Sequence, residues 1–249
     1  MKYDKFQQLI DTMDGEQYDY KKGYERSLTL IQQRLNGRVF SLSDHTRGML
    51  YSLLSNQRPW HQIDKHRANI DEIFHNFDTE YIKNEDPSVF VENIKKIKCG
   101  NKYIVKQISA LKDNIETLER IEKDEGSIDE YFNKTPKYSL LKELSQGKFK
   151  LKQMATPLTA EYLKNVGLDI IKPDVHVRRI LARLGYSKNT PASIKECFEI
   201  CQDIAKEFGC YEVVIDSILW QYCADKYFEK CTEKPKCESC KVEDCLGRI

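Results

Sequence analysis

The chain has 249 residues, 40% of them hydrophobic and 32% charged, a composition that suits a soluble globular protein with well-solvated helices. Its formal charge is only +1, so the whole-molecule field does not draw in a polyanion, and any such attraction has to come from local clusters. No apolar run approaches the ~20 residues needed to cross a bilayer, and the opening MKYDKFQQLIDTMDGEQ lacks the apolar core and cleavage site of a signal peptide. A cytoplasmic monomer without a membrane partner is therefore expected.

Taken in chain order, the periodicity is helical nearly throughout. Leu28, Ile31 and Leu35 mark one helix that ends at Asn36-Gly37. From Tyr103 to Ile121 the residues Ile104, Ile108, Leu111, Ile115 and Leu118 recur every three or four positions, which predicts one long helix with a single apolar stripe. Ile194, Phe198, Cys201, Ile204, Ala205 and Phe208 repeat the pattern, opening after Pro191 and stopping at Gly209. Punctuation at Gly37, Arg58-Pro59, Asp86-Pro87, Gly126-Ser127, Thr135-Pro136 and Lys172-Pro173 cuts the chain into about a dozen short helices. Two-residue alternation is missing, so the fold class is all-α. With no flexible linker and no repeat, any two lobes must be interleaved.

Basic residues gather at Lys148, Lys150 and Lys152, and again at Lys172, Arg178, Arg179 and Arg183. Taken alone, such clusters read as solvated helix faces. Of nine cysteines, Cys99, Cys197, Cys201, Cys210 and Cys223 are scattered along apolar patterns, where free cysteine packs as a small hydrophobe. The other four, Cys231, Cys237, Cys240 and Cys245, crowd into fifteen residues around a Cys-x-x-Cys. Four thiolates so spaced form a compact ligand set that suits zinc or an iron–sulfur cluster, and the spacing leaves both open.

Beyond its cysteines, the tail carries Lys234-Pro235-Lys236 and Glu243-Asp244, and with them it resembles the cluster loop of the endonuclease III branch of helix-hairpin-helix DNA glycosylases. Each outer gap between its cysteines is one residue shorter than that family's. Two further segments follow the family's order. Lys172-Pro173-Asp174-Val175-His176-Val177-Arg178-Arg179 resembles the Asp-x-His-x-x-Arg region, and Leu50-Tyr51-Ser52-Leu53-Leu54-Ser55-Asn56-Gln57 resembles Leu-Leu-Ser-x-Gln. At the hairpin, where the family has Leu-x-Gly-(Val/Ile)-Gly-x-Lys, this chain reads Leu151-Lys152-Gln153-Met154-Ala155-Thr156-Pro157-Leu158. Met154 and Thr156 are taken as replacing the glycines and Leu158 the lysine.

The resemblance implies two helical lobes, residues 41–164 and residues 1–40 with 165–249, and double-stranded DNA as partner. It places a [4Fe–4S] cluster, or zinc as the alternative, on Cys231, Cys237, Cys240 and Cys245. Asp174 falls on the catalytic aspartate, which stabilises the sugar cation formed as the N-glycosidic bond breaks. From the residues alone, Asp174 reads as a helix N-cap, and the two roles are compatible. Gln57 falls on the glutamine that enters the duplex, and Lys150, Lys152 and Arg178 are candidate phosphate contacts. His176 is assigned a structural role, and Trp60 is read as core. With no hairpin lysine, no Schiff base forms, so the expected activity is a monofunctional glycosylase of a damaged or mismatched base. Ser52 stands where the adenine-removing branch has a glutamate. The alternatives are a DNA-binding or damage-sensing protein that keeps the fold without catalysis, and a zinc-stabilised helical adaptor.

Overall fold

The structure is a computed structural model that describes residues 2–247. Among these residues there are fifteen α-helices and no strand, as the all-α expectation requires. In chain order they are α1 (Asp4–Gly15), α2 (Lys22–Leu35), α3 (Leu42–Leu54), α4 (Trp60–Lys65), α5 (Arg67–Ile73), α6 (Thr79–Asn84), α7 (Pro87–Lys96), α8 (Ile104–Ser109), α9 (Leu111–Glu125), α10 (Ile128–Lys134), α11 (Lys137–Ser145), α12 (Thr156–Asn165), α13 (Val175–Arg183), α14 (Ile194–Phe208) and α15 (Glu212–Cys223). None of them is long and apolar enough to cross a membrane.

The chain divides into two compact units. One comprises Met1–Thr29 with Asp169–Ile249, the other Leu30–Leu168, and the division falls inside α2. Local chemistry accounts for many helix ends. Ser41 and Ser193 each close a capping box, with Asp44 and Glu196 respectively, and Gly209 ends α14 in the left-handed conformation at φ 62°. The expected single helix from Tyr103 to Ile121 is instead two. At Ala110 the ladder tightens to a bond from Ala110 N to Gln107 O, and the i→i−4 pattern resumes only at Asn114 N to Ala110 O. One apolar stripe survives this break because Ile104, Ile108, Leu111, Ile115 and Leu118 are all buried.

In the Leu30–Leu168 unit, α3 is the central helix, and Met49, Leu50, Leu53 and Leu54 are fully inaccessible. It lies against α12. Gly48 permits that approach, since a Cβ there would meet Val166 Cγ1 at 3.0 Å. Polar groups lock the same seam: Asn165 Nδ2 donates to Gly48 O at 3.0 Å, and the Ser52 hydroxyl donates to Leu158 O.

A buried carboxylate organises one end of this seam. Asp129 Oδ1 meets Arg34 Nη2 at 2.7 Å, and Oδ2 accepts the Phe40 amide at 2.8 Å. His45 Nε2 lies 3.5 Å from Oδ1, at the limit of hydrogen bonding, while its Nδ1 is 2.7 Å from Tyr162 Oη. Burial opposes ionisation of Asp129, but His45, the Phe40 amide and Arg34 outweigh it and hold its pKa below the usual carboxylate value. Burial pushes the His45 pKa down, so the ring is neutral, accepting from Tyr162 and presenting Nε2–H to Asp129.

In the other unit, Phe6, Leu9 and Met13 of α1 pack in one core with Val177, Ile180 and Leu181 of α13, Cys197, Cys201 and Ile204 of α14, and Ile215, Leu219 and Tyr222 of α15. Cys197, Cys201 and Cys223 sit in this core as buried thiols whose pKa values burial pushes up.

The two tryptophans fall one in each unit, Trp60 and Trp220, so a Trp220→Phe background reports on the Leu30–Leu168 unit alone. In that background Asp129→Asn leaves Arg34 without a counter-charge where the two side chains are 3% and 9% exposed. The loss expected for breaking such a pair is about 3–5 kcal/mol, measured by urea unfolding of Trp60 fluorescence. Unfolding frees neutral His45 to take a proton below its ordinary pKa of about 6.5. Stability is therefore full above about pH 6.5 and declines as the pH falls toward 5, and a flat profile over that range would show His45 protonated in the native state.

Candidate functional site

Two groups of candidate residues lie on one helix and the loop beside it. Pro173 and an extended backbone at Asp174 (φ −85°, ψ −176°) start α13, and Asp174 Oδ1 accepts the amides of His176 at 2.8 Å and Val177 at 3.2 Å. This is the N-cap expected from the residues alone. The second oxygen, Oδ2, makes no hydrogen bond among the described residues, and Asp174 is half-buried beside exposed Val175. One carboxylate oxygen thus starts the helix and the other is available.

His176, in the first turn, accepts at Nδ1 from Arg179 Nη2 at 3.0 Å and meets Trp220 edge-on. Burial lowers its pKa, so the ring is neutral with its proton on Nε2. Arg178 is not a free surface cation. Its Nε donates to Ala192 O at 2.7 Å, and Ala192 N returns a bond to Arg178 O, so the side chain clamps the segment that precedes α14.

Further along α13, one helical turn apart, Arg179 and Arg183 reach the cysteine loop. Arg179 Nε donates to Cys231 O at 3.3 Å. Arg183 donates to Cys231 O and Cys231 Sγ, both at 3.3 Å, and to the carbonyls of Thr232 and Glu233. Cys231, Cys237, Cys240 and Cys245 line one small pocket together with Arg183 and Pro235. Tyr222 Oη lies 3.2 Å from Cys240 Sγ, and Cys245 Sγ donates to Arg183 O at 3.1 Å. The Cys231 pKa is brought down to about 6, first by a hydrogen bond from the Cys223 thiol and then by Arg183 and Arg179 against the cost of burial. Burial pushes Cys245 up. Among the described residues, no three His, Cys, Asp or Glu side chains are placed to hold a single metal ion.

The chemistry of these donors, though not the spacing of their side chains, suits a thiolate-ligated group. Four sulfurs share one pocket, the most buried of them is already biased toward thiolate, and N–H and O–H donors point at two of the sulfurs. Arg183, Tyr222 and Cys223 were not singled out from the sequence for this loop. The signal for Arg183 was its i, i+4 spacing from Arg179 on α13, whereas nothing local marks Tyr222 or Cys223.

The remaining candidates lie in the Leu30–Leu168 unit. Gln57 follows α3 in an exposed loop and adopts φ 52°, a left-handed conformation uncommon for a side-chain-bearing residue. Trp60 is half-buried rather than core, with the Arg67 guanidinium 5.2 Å from its ring. Lys150 is exposed, while Lys152 Nζ is paired with Asp113 at 2.8 Å.

The connection from α11 to α12 corrects one expectation. Its left-handed residue is Gln153, at φ 61°, and the N-cap of α12 is Ala155. Gln153 and Ala155 therefore occupy the turn positions, one residue earlier than Met154 and Thr156. The reason is burial, because Met154 is 2% exposed and Leu151 fully inaccessible, leaving Gln153 between them to make the turn. Asn114 staples this connection, accepting the Lys152 amide at 2.6 Å and donating to Lys152 O at 3.0 Å. Pro157 lies in the first turn of α12, and Leu158 is buried with its carbonyl engaged by Ser52.

Comparison with models of protein families, with curated proteins and with solved structures finds no match to this chain.

Since Ala192 is fully inaccessible, Arg178→Met leaves its carbonyl without the guanidinium donor. A loss of about 1–3 kcal/mol is expected, read from Trp220 fluorescence in a Trp60→Phe background. Stability equal to the parent's would return Arg178 to the class of solvent-facing cations.

Proposed function

We propose that this protein is a DNA N-glycosylase that hydrolyses the bond between a damaged or mismatched base and its sugar, without strand cleavage. The observation that carries the reading is the dual use of α13: its first residue is capped by a carboxylate with one oxygen unspent, and its later turns hold a four-cysteine loop through Arg179 and Arg183. The order of Gln57, hairpin segment, Asp174 and cysteines along the chain, and the resemblance each bears to the endonuclease III branch, support it.

In this mechanism the C1′–N bond breaks, the bonding pair leaves with the base, and positive charge develops on the sugar. Asp174 Oδ2 offsets that charge at the reacting carbon. Its position is held because Oδ1 is tied to two amides, so no reorganisation is needed as charge develops. Water then forms the new C1′–O bond, and its proton passes to the carboxylate. Neutral His176 cannot add a competing positive charge beside the sugar cation. Gln57, on its left-handed loop, is the residue that the resemblance assigns to the duplex. Lys150 contacts phosphate. Lys152 and Arg178 do so only by giving up Asp113 or Ala192.

Cys231, Cys237, Cys240 and Cys245 would hold a [4Fe–4S] cluster, which would cross-link the loop; zinc on the same thiolates is the alternative. Leu158 and Pro157 have no amine, so a Schiff base at the hairpin is excluded by composition in either register.

A second reading, a non-catalytic DNA-binding or damage-sensing protein, is favoured by the hairpin. Gln153 and Ala155 carry Cβ atoms where glycines would let the backbone approach a phosphate most closely.

The deciding variant is Asp174→Asn. Asparagine caps nearly as well as aspartate, so fold and duplex affinity are expected to persist. Base release across a panel of oxidised, alkylated, deaminated and mismatched duplexes is expected to fall by about 100-fold or more. The parent's product stays unnicked until alkali is added, and borohydride traps no cross-link. A parent that binds duplex but releases no base from any substrate establishes the sensing reading instead, and a borohydride cross-link would identify a lysine nucleophile elsewhere.

For the cofactor, aerobically purified protein is expected to absorb in a broad band near ~400 nm that Cys240→Ser bleaches. A colourless protein with one zinc per chain establishes the alternative.

A further inference from the structure

The chain carries a concentrated positive charge that none of the assigned residues accounts for. Between Asn93 and Lys112 there are six lysines, Lys95, Lys96, Lys98, Lys102, Lys106 and Lys112, and no aspartate or glutamate, in a protein whose formal charge is +1. All six are exposed. Lysines elsewhere commonly have a carboxylate at hand: Lys2 with Asp203, Lys83 with Glu80 and Glu119, Lys148 with Asp124, Lys230 with Glu16. Among the described residues none of these six is within ion-pair distance of one. The contacts that exist are to neutral groups, Lys96 Nζ to Asn93 Oδ1 at 3.2 Å and Lys102 Nζ 5.0 Å from the Tyr103 ring centroid.

Helix electrostatics explain only part of this. Lys95 and Lys96 are in the last turn of α7, where a cation complements the helix dipole. Lys106 is likewise in the last turn of α8, while Lys98 and Lys102 lie in the connection between the two helices. Among the described residues neither Lys98 nor Lys102 has a carboxylate within ion-pair distance to offset their repulsion.

The connection that carries them is held rigidly. Cys99 is fully inaccessible and Asn101 is 8% exposed. Asn101 Nδ2 donates to Leu53 O at 3.1 Å, and Asn101 Oδ1 accepts the Tyr103 amide at 2.8 Å. Gln62 Nε2 donates to Ile97 O at 3.1 Å, and the Arg58 guanidinium donates to Lys98 O. Lys95 lies across this connection, since a Cβ on Gly100 would meet its Cγ at 3.4 Å. Through Arg58 and Gln62 the lysine-bearing segment is fastened to the loop of Gln57, and both have a left-handed side-chain-bearing residue, Gln57 at φ 52° and Lys98 at φ 58°.

We infer that Lys95, Lys98 and Lys102 form a phosphate-binding surface for duplex DNA, beside Gln57 and additional to the basic clusters legible in the sequence. The inference rests on the proposed reading of the protein as a DNA enzyme and names the surface that supplies its backbone affinity. A polyphosphate backbone fits because it neutralises several separated cations at once and releases its own counterions in doing so. An acidic protein partner fits less well. Protein interfaces centre on buried aromatic or aliphatic anchors, and the one large exposed apolar side chain between Asn93 and Lys112 is Val105. The surface also answers the cost of the altered hairpin, because affinity lost where Gln153 and Ala155 replace glycines is recovered from side-chain cations.

The test measures anisotropy of a labelled, undamaged duplex over a salt series, with the full-length protein. Each phosphate neutralised contributes about 0.9 to the slope of log affinity against log salt, so the triple variant Lys95→Gln, Lys98→Gln, Lys102→Gln is expected to lower the slope by about 2–3. A charge-matched control, Lys188→Gln, Lys195→Gln, Lys206→Gln, removes three other exposed lysines and is expected to leave the slope within about 0.5. All six positions are exposed, so melting curves should be unchanged. An unchanged slope in the first triple, an equal fall in both, or tighter binding of polyglutamate than of duplex overturns the inference. If the parent nonetheless releases base in an Asp174-dependent way, the proposed function stands without it; if the parent binds no duplex, both fall.

Discussion

Asp129 is a carboxylate buried within the Leu30–Leu168 unit, and its ionised form is held there by Arg34 from the end of α2, by the Phe40 amide, and by His45 from the first turns of α3. Tyr162 of α12 closes the group through His45, and Arg34 Nε reaches Val166 O just beyond the same helix. Four separated segments therefore share one charge. A charge so buried is tolerable only when every donor is in place. The arrangement thus specifies how α2, α3, α10 and α12 meet more sharply than apolar contact could. From this anchor α3 runs straight to Leu54 and the Gln57 loop, and the α3–α12 seam sets where α12 begins. The positions of Gln57 and of the turn at Gln153 follow from it.

In the other unit a comparable economy rests on α13. Its amino end needs an acceptor for free amides, and Asp174 supplies one oxygen for that purpose alone. Its middle and carboxyl end present Arg179 and Arg183 to carbonyls of the cysteine loop, a loop with little regular structure to satisfy its own backbone. The same helix thus carries the Asp174 cap at one end and the contacts to the loop at the other. Cys223 and Arg183 stabilise a thiolate at Cys231, the ionisation state that metal ligation needs. Its neighbours in the core, Cys197 and Cys201, are kept protonated by burial.

The turn between α11 and α12 shows how a strained backbone is retained. A left-handed glutamine costs more than a glycine would, and it persists because Leu151 and Met154 are buried on either side and Asn114 grips Lys152 at both amide and carbonyl. The outcome is a connection that leaves Gln153 and Ala155 exposed between buried neighbours.

Several features are legible in the sequence alone. The all-α class follows from a 3.6-residue periodicity that each helix carries within itself. The start of α14 at a serine with a glutamate three residues on, its stop at Gly209, and the cap at Asp174 are contacts between residues close in sequence, so a one-dimensional reading reaches them. The crowding of four cysteines in fifteen residues is likewise local. Only tertiary structure decided the rest. The break at Ala110, the choice of Gln153 over Met154 as the turning residue, and the sequestering of Lys152 and Arg178 by Asp113 and Ala192 each depend on a partner or a core beyond the local pattern. The lysines from Lys95 to Lys106 were visible as letters but not as a surface. Whether a charged side chain is spent or available depends on which carboxylates the fold brings within reach, and that is settled by packing rather than by spacing.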